Sequence, residues 1–165
     1  MNLPNALVLR TFSKAWGLAG CRVGYAVGSP YVIGVLRAAG APYSVAAPSI
    51  ALALAQLERG EGALRAHVAR IRTERDQLAA RLAAAGTGGR LAPQPSQANF
   101  LLVECGARAQ PIRAALAERG IVVRDFPGRP GLETSLRITL PGNPADFDRL
   151  CAALDAALPP GGPRS

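Results

Sequence analysis

The chain has 165 residues, enough for one domain of ordinary size, and its 49% hydrophobic content allows a real core. Its net charge of +8, from 19 basic and 11 acidic residues, favours anionic partners, but the arginines are spread along the chain and the few aromatics do not interleave with them, which disfavours a nucleic-acid surface. His67 is the only histidine, Cys21, Cys105 and Cys151 lack metal-ligand or disulfide spacing and so point to a reducing compartment, and no uncharged apolar run reaches the ~18 residues of a membrane span.

From the N-terminus, residues 6–11 and 22–27 are short apolar runs expected to be buried strands at the edge of a mainly parallel sheet. Residues 48–58 are predicted as a helix and residues 61–85 as a long one. In the long helix Leu64, Val68, Ile71, Leu78 and Leu82 recur on one face. Arg65, Arg72 and Arg81 lie off that face and are expected to be solvated, with His67 exposed on the same helix. A Pro/Gly-rich stretch, 87–96, leads to a strand (99–104), a helix (110–119), two strands (121–125 and 135–140) and a final helix (144–158). The Pro/Gly run 159–163 is expected to be a disordered tail. The implied organisation is a larger-domain remnant over 1–60, a connecting helix and linker over 61–95, a small α/β domain over 96–158 and the tail over 159–165.

Eighteen of the basic residues are arginine and one, Lys14, is lysine. An ε-amine can lose its proton, attack a carbonyl and form an imine, which a guanidinium cannot do. An ordinary surface charge is the alternative. Thr11 and Ser13 place two hydroxyls beside Lys14, and Arg22 follows eight residues on, after a Gly-rich turn. Hydroxyls and a guanidinium together suit a phosphate, and an amine beside a phosphate site suits an aldehyde cofactor that carries one, pyridoxal phosphate (PLP). Arg124 and Arg137 each interrupt an apolar strand-like run, where an unpaired guanidinium is costly, so each calls for an anionic partner, either a ligand or a carboxylate side chain.

The string Thr11-Phe12-Ser13-Lys14-Ala15-Trp16-Gly17-Leu18-Ala19-Gly20-Cys21-Arg22-Val23-Gly24-Tyr25 resembles the cofactor-lysine motif of class I/II, fold-type I, PLP-dependent aminotransferases, closest to the histidinol-phosphate aminotransferase branch. Cys21 stands where that family usually has an aliphatic residue. The segments Pro42-Tyr43-Ser44-Val45, Ser96-Gln97-Ala98-Asn99-Phe100, Gly120 to Asp125 and Ser135 to Thr139 are similar to later motifs of the family. The resemblance covers nearly the whole chain and matches the second part of the family's usual length. It implies an α/β fold: the C-terminal part of a fold-type I transferase, with a remnant of the large-domain sheet and a small α/β domain.

The resemblance further implies PLP as cofactor, held by Thr11, Ser13, Lys14 and Arg22, with Lys14 as covalent anchor and catalytic base. It implies Arg137 as the clamp for a substrate α-carboxylate and Arg124 as a contact for a substrate phosphate. The implied reaction converts histidinol phosphate and 2-oxoglutarate to imidazole acetol phosphate and glutamate, in histidine biosynthesis. Alternatives on the same scaffold are an aromatic aminotransferase, a threonine-phosphate decarboxylase-like lyase, and a non-catalytic remnant. A cytoplasmic homodimer that uses small amino and keto acids, without metal, nucleic acid or membrane partners, completes the expectation. The family's acid for the pyridine nitrogen has no counterpart here, since the first acidic residue is Glu58.

Overall fold

The computed structural model describes residues 4–85 and 91–158 and divides into two compact units, Met1–Val68 and Ala69–Ser165. The expected tail, and residues 87–90 of the expected linker, lie outside the described residues.

In the first unit, β1 (Leu7–Thr11) and β2 (Gly24–Gly28) form an antiparallel ribbon in which Arg10 pairs with Tyr25 and Thr11 with Gly24. The strands fall where the apolar runs predict them, but the pairing is antiparallel and the burial expected of them is absent: Leu9 is 72% exposed. Both faces of the ribbon carry apolar side chains, and Leu9, Tyr25 and Val27 are left exposed. Gly24 permits the close approach of the strands, because a Cβ there would stand 2.7 Å from the Arg10 carbonyl oxygen. Helix α1 (Pro30–Ala39) was not legible in the sequence. Its start is well specified even so, with Ser29 accepting from the Val32 N–H and Pro30 at the first helical position. Helix α2 (Ala47–Arg59) follows, and α3 (Glu61–Ala85) has the bounds its periodicity predicts.

In the second unit, β3 (Ala92–Pro93), β4 (Phe100–Glu104) and β5 (Ser135–Thr139) form an antiparallel sheet in that order, accompanied by α4 (Ala109–Glu118) and α5 (Pro144–Ala157). Leu78, Leu101, Val103, Leu116, Leu136 and Leu154 are almost fully buried in one core. Ile71, Leu78 and Leu82 are buried as their spacing predicts, and Glu74 and Arg75 join them on the same face. Glu74 accepts from the Gly142 N–H at 2.8 Å and so ties α3 to the turn before α5, while Arg75 reaches Asp76 at 3.0 Å. Arg81, expected to be simply solvated, is ion-paired with Asp155.

Residues 121–125 do not form the expected strand. Gly120 adopts a φ of 70° and the Ile121 N–H bonds back to the Leu116 carbonyl, which closes the end of α4. Val122 is then left 89% exposed, and only Arg124 reaches β5.

Candidate cofactor and anion sites

Thr11, Ser13, Lys14 and Arg22 all lie in the loop that closes the β1–β2 ribbon. The Phe12 N–H donates to the Val23 carbonyl at 3.0 Å and the Leu18 N–H to the Phe12 carbonyl at 3.0 Å, which pulls residues 11–23 into a compact loop. Phe12 is buried, with its ring 5.7 Å from that of Trp16 and 6.1 Å from that of Tyr25, so the loop has an aromatic anchor. Lys14 begins a turn closed by the Gly17 N–H on its carbonyl at 2.9 Å, and it is exposed. The Gln56 amide, from α2, donates to the Trp16 carbonyl at 3.4 Å and holds the far side of that turn.

The hydroxyl of Thr11 donates to that of Ser13 at 2.9 Å, and the Ser13 N–H donates to the Thr11 hydroxyl oxygen at 3.0 Å. Ser13 therefore keeps its own hydroxyl proton for an outside acceptor. Arg22 is exposed and spends one guanidinium nitrogen on the Ala19 carbonyl at 3.1 Å, which leaves most of its donor fork available. Its backbone is left-handed, with a φ of 54°. Among the described residues the other non-glycine with positive φ is Tyr43, at 56°, which lies in another of the segments singled out from the sequence. Such conformations cost on the order of 1–3 kcal/mol and concentrate where function fixes the chain.

This donor set fits the phosphate and aldehyde ends of PLP: two hydroxyls, a mostly free guanidinium and an exposed primary amine at one end of one ribbon. It offers no acid before Glu58 for the ring nitrogen. Beside the loop, a cavity of about 210 Å³ is lined by Trp16, Gln56, Leu64 and His67 among others. His67, expected to be exposed, is half-buried there.

Arg124 and Arg137 lie in the second unit and are brought together as an isolated antiparallel bridge. Neither takes part in an ion pair among the described residues; Asp125, the carboxylate next to Arg124, is engaged by Arg113 at 3.3 Å. The carboxylate-partner alternative left open by the sequence thus finds no support. The Arg137 guanidinium sits 5.3 Å from the Phe100 ring centre and its Nε is buried without a partner, while Arg124 sits 5.7 Å from the ring of Phe126. Sequence reasoning did not pick out the aromatic partners. The signal for Phe100 lies in the strand register: Leu102 pairs with Arg137, so Phe100 is its diagonal neighbour on the same face.

Ser96 fixes the start of β4, accepting from the Ala98 N–H and donating to the Phe100 carbonyl at 2.7 Å. Glu104 accepts from Ser135 at 2.8 Å and from the Gly106 N–H at 3.0 Å. These bonds, with one from Thr134, hold its carboxyl below the usual carboxylate range. Burial, and the charge of Glu104, push the Cys105 thiol up to about 11, so it is no nucleophile at neutral pH.

Residues 1–154 match the family model for aminotransferase class I and II. The chain is similar to a histidinol-phosphate aminotransferase of Roseiflexus castenholzii, 44% identical over 155 residues that make up 92% of this chain and 40% of that protein. It is also similar to an aromatic amino acid aminotransferase of Corynebacterium efficiens, 40% identical over 93% of this chain and 40% of that protein. Among solved structures, the histidinol-phosphate aminotransferase of Sinorhizobium meliloti in complex with PLP superposes with a TM-score of 0.76 at 32% identity, over 96% of this chain and 42% of that one. The chain spans about two-fifths of the length of the relatives it matches.

Proposed function

The chain belongs to the class I and II aminotransferase family, whose cofactor is PLP, and from that premise we propose that it carries the lysine, phosphate and substrate-anion contacts of an amino-group transfer between histidinol phosphate and 2-oxoglutarate. The observation that supports the reading is that one loop, at the closed end of the β1–β2 ribbon, holds the chain's one lysine together with the hydrogen-bonded hydroxyls of Thr11 and Ser13 and the guanidinium of Arg22.

Ser13 would bind the cofactor phosphate by a short hydroxyl donation and Arg22 through its free fork, while Thr11 would orient the Ser13 hydroxyl. Bound PLP supplies the electron sink that makes a substrate α-proton removable. Lys14 would anchor the cofactor and then, as a free amine, take the proton from the substrate Cα and deliver it to the cofactor C4′. Arg137 would orient the carboxylate of glutamate or 2-oxoglutarate. Arg124 would meet the phosphate of histidinol phosphate. Two guanidiniums backed by aromatic rings, with no ion pair among the described residues, are suited to anions that enter and leave.

Borohydride reduction of the chain with added PLP, followed by peptide mapping, tests the reading. A pyridoxyl adduct on Lys14, absent in Lys14→Ala, is the expected result; an adduct confined to the N-terminal amine would refute the phosphate cup. A second reading, transfer from aromatic amino acids, is favoured by the C. efficiens relative. Arg124→Ala separates the two, since it should weaken turnover of histidinol phosphate and spare that of phenylalanine.

A further inference from the structure

A second cavity, of about 200 Å³, lies within the second unit, between residues 120–123, the end of β5 and the first half of α5. Val123 and Ile138 line it and are buried. Side chains alternate along extended backbone, so the cavity lies on the opposite side of the strands from Arg124 and Arg137, the bridge that joins them. Ile121, Val123, Ile138 and Leu150 give it apolar walls, and α5 adds two charged side chains, Asp146 and Arg149.

Asp146 and Arg149 are three residues apart on α5, a spacing at which opposite charges can pair. Neither takes part in an ion pair among the described residues. Each is held by a different neighbour instead. The Arg149 guanidinium donates through one terminal nitrogen to the Arg119 carbonyl at 2.6 Å, and a Cβ on Gly120 would stand 2.9 Å from that nitrogen, so a glycine there gives the guanidinium its seat. One carboxylate oxygen of Asp146 accepts from the Asn143 amide, while the Asp146 N–H donates to the Asn143 side-chain oxygen at 2.9 Å. The other Asp146 oxygen and the rest of the Arg149 fork take no hydrogen bond among the described residues.

We propose that this cavity binds a small aliphatic α-amino acid. Asp146 would take the ammonium, Arg149 the carboxylate, and the apolar walls the side chain. Charge selects the class. A simple anion meets repulsion from Asp146, a simple cation meets it from Arg149, and a neutral ligand leaves both without a partner. An α-amino acid carries both charges on one carbon, which suits two fixed opposite charges one helical turn apart. Size selects within the class, since the cavity is smaller than the ~300–1,000 Å³ of sites for drug-sized ligands and has room for a short side chain. The site is separate from the amino transfer proposed above, and binding there does not depend on it.

Titration of the isotope-labelled full chain with L-leucine, followed by two-dimensional NMR, tests the site. Saturable shifts are expected at the amides of residues 120–123 and 146–150. Isocaproate, which lacks the amine, and isoamylamine, which lacks the carboxylate, should each bind about tenfold or more weaker, as for the loss of a hydrogen bond to a charged group. Asp146→Asn and Arg149→Gln should weaken L-leucine by a similar factor, with circular dichroism showing that each keeps its fold; the two analogues make the same comparison on the unaltered chain. Absence of saturation, shifts centred on Arg137 instead, equal binding of L-leucine and either analogue, or folded variants that bind as well as the unaltered chain would each overturn the proposal.

Discussion

Arg124 and Arg137 exchange both backbone hydrogen bonds, the Arg124 N–H to the Arg137 carbonyl at 3.2 Å and the reverse at 2.8 Å, so two like charges stand directly opposite each other on one side of the strand pair. Like charges in that position destabilise a pair by about 0.2–1 kcal/mol, and a bound anion reverses the sign. Added phosphate should therefore raise the melting temperature of the chain. Arg124→Gln should be slightly more stable without phosphate and respond less to it; an equal response in the variant would show that the pair is no anion site.

Arg22→Gly separates strain from binding. Glycine adopts the left-handed backbone at no steric cost, so the variant should gain about 1 kcal/mol of stability relative to a non-glycine held there. The same change removes a guanidinium from the proposed phosphate site and should weaken PLP retention at Lys14. Denaturant titration reads the first effect and reductive labelling the second. Loss of both together would mean that Arg22 has a structural role.

Glu104 gives the second unit a pH dependence of known sign. Hydrogen bonds from Thr134, Ser135 and Gly106 lower its folded pKa, so its contribution is present above the unfolded value of about 4.3 and is lost as pH falls through the folded one. Glu104→Gln should cost about 1 kcal/mol at pH 7 and little at low pH. Urea unfolding at both extremes checks it; a loss of equal size at both would point to packing.

The three thiols should react in order of access. Cys21 is half-buried, whereas Cys105 and Cys151 are buried with their thiols pushed up by desolvation. Brief alkylation of the native chain at neutral pH should mark Cys21 first by peptide mapping, and the others only after denaturant is added.

Leu116, fully buried where α4 meets the sheet, should cost about 2–5 kcal/mol when cut to alanine. Leu57→Ala, at an exposed position of α2, should stay within about 0.5 kcal/mol in the isolated chain. Paired thermal melts test the contrast.

Long periodic elements were legible and special backbone was not. The bounds of α3 follow from its apolar spacing, which also puts Glu74 and Arg75 on the buried face, but the partner that lets Glu74 be buried there, the Gly142 N–H, lies far along the chain. Residues 121–125 have strand composition, yet the local closure of α4 at Gly120 and Ile121 turns them away. Helix α1 was hidden because its apolar residues run on without a polar face and Gly34 interrupts them. Lys14 stood out by composition, and its neighbours by chemistry. The aromatic backing of Arg137 by Phe100 required knowledge of the strand register, which no single segment contains.

The approach of Gly24 to the Arg10 carbonyl sets the width of the ribbon at the end where Thr11 pairs with Gly24 and the loop that carries Ser13, Lys14 and Arg22 begins. A methyl group there would wedge the strands apart and shift the loop without altering any of its side chains. Gly24 is thus a position where a lineage could lose the proposed phosphate cup through a neutral-looking substitution, one that leaves the side chains of the loop unchanged and could not be repaired by replacing any of them.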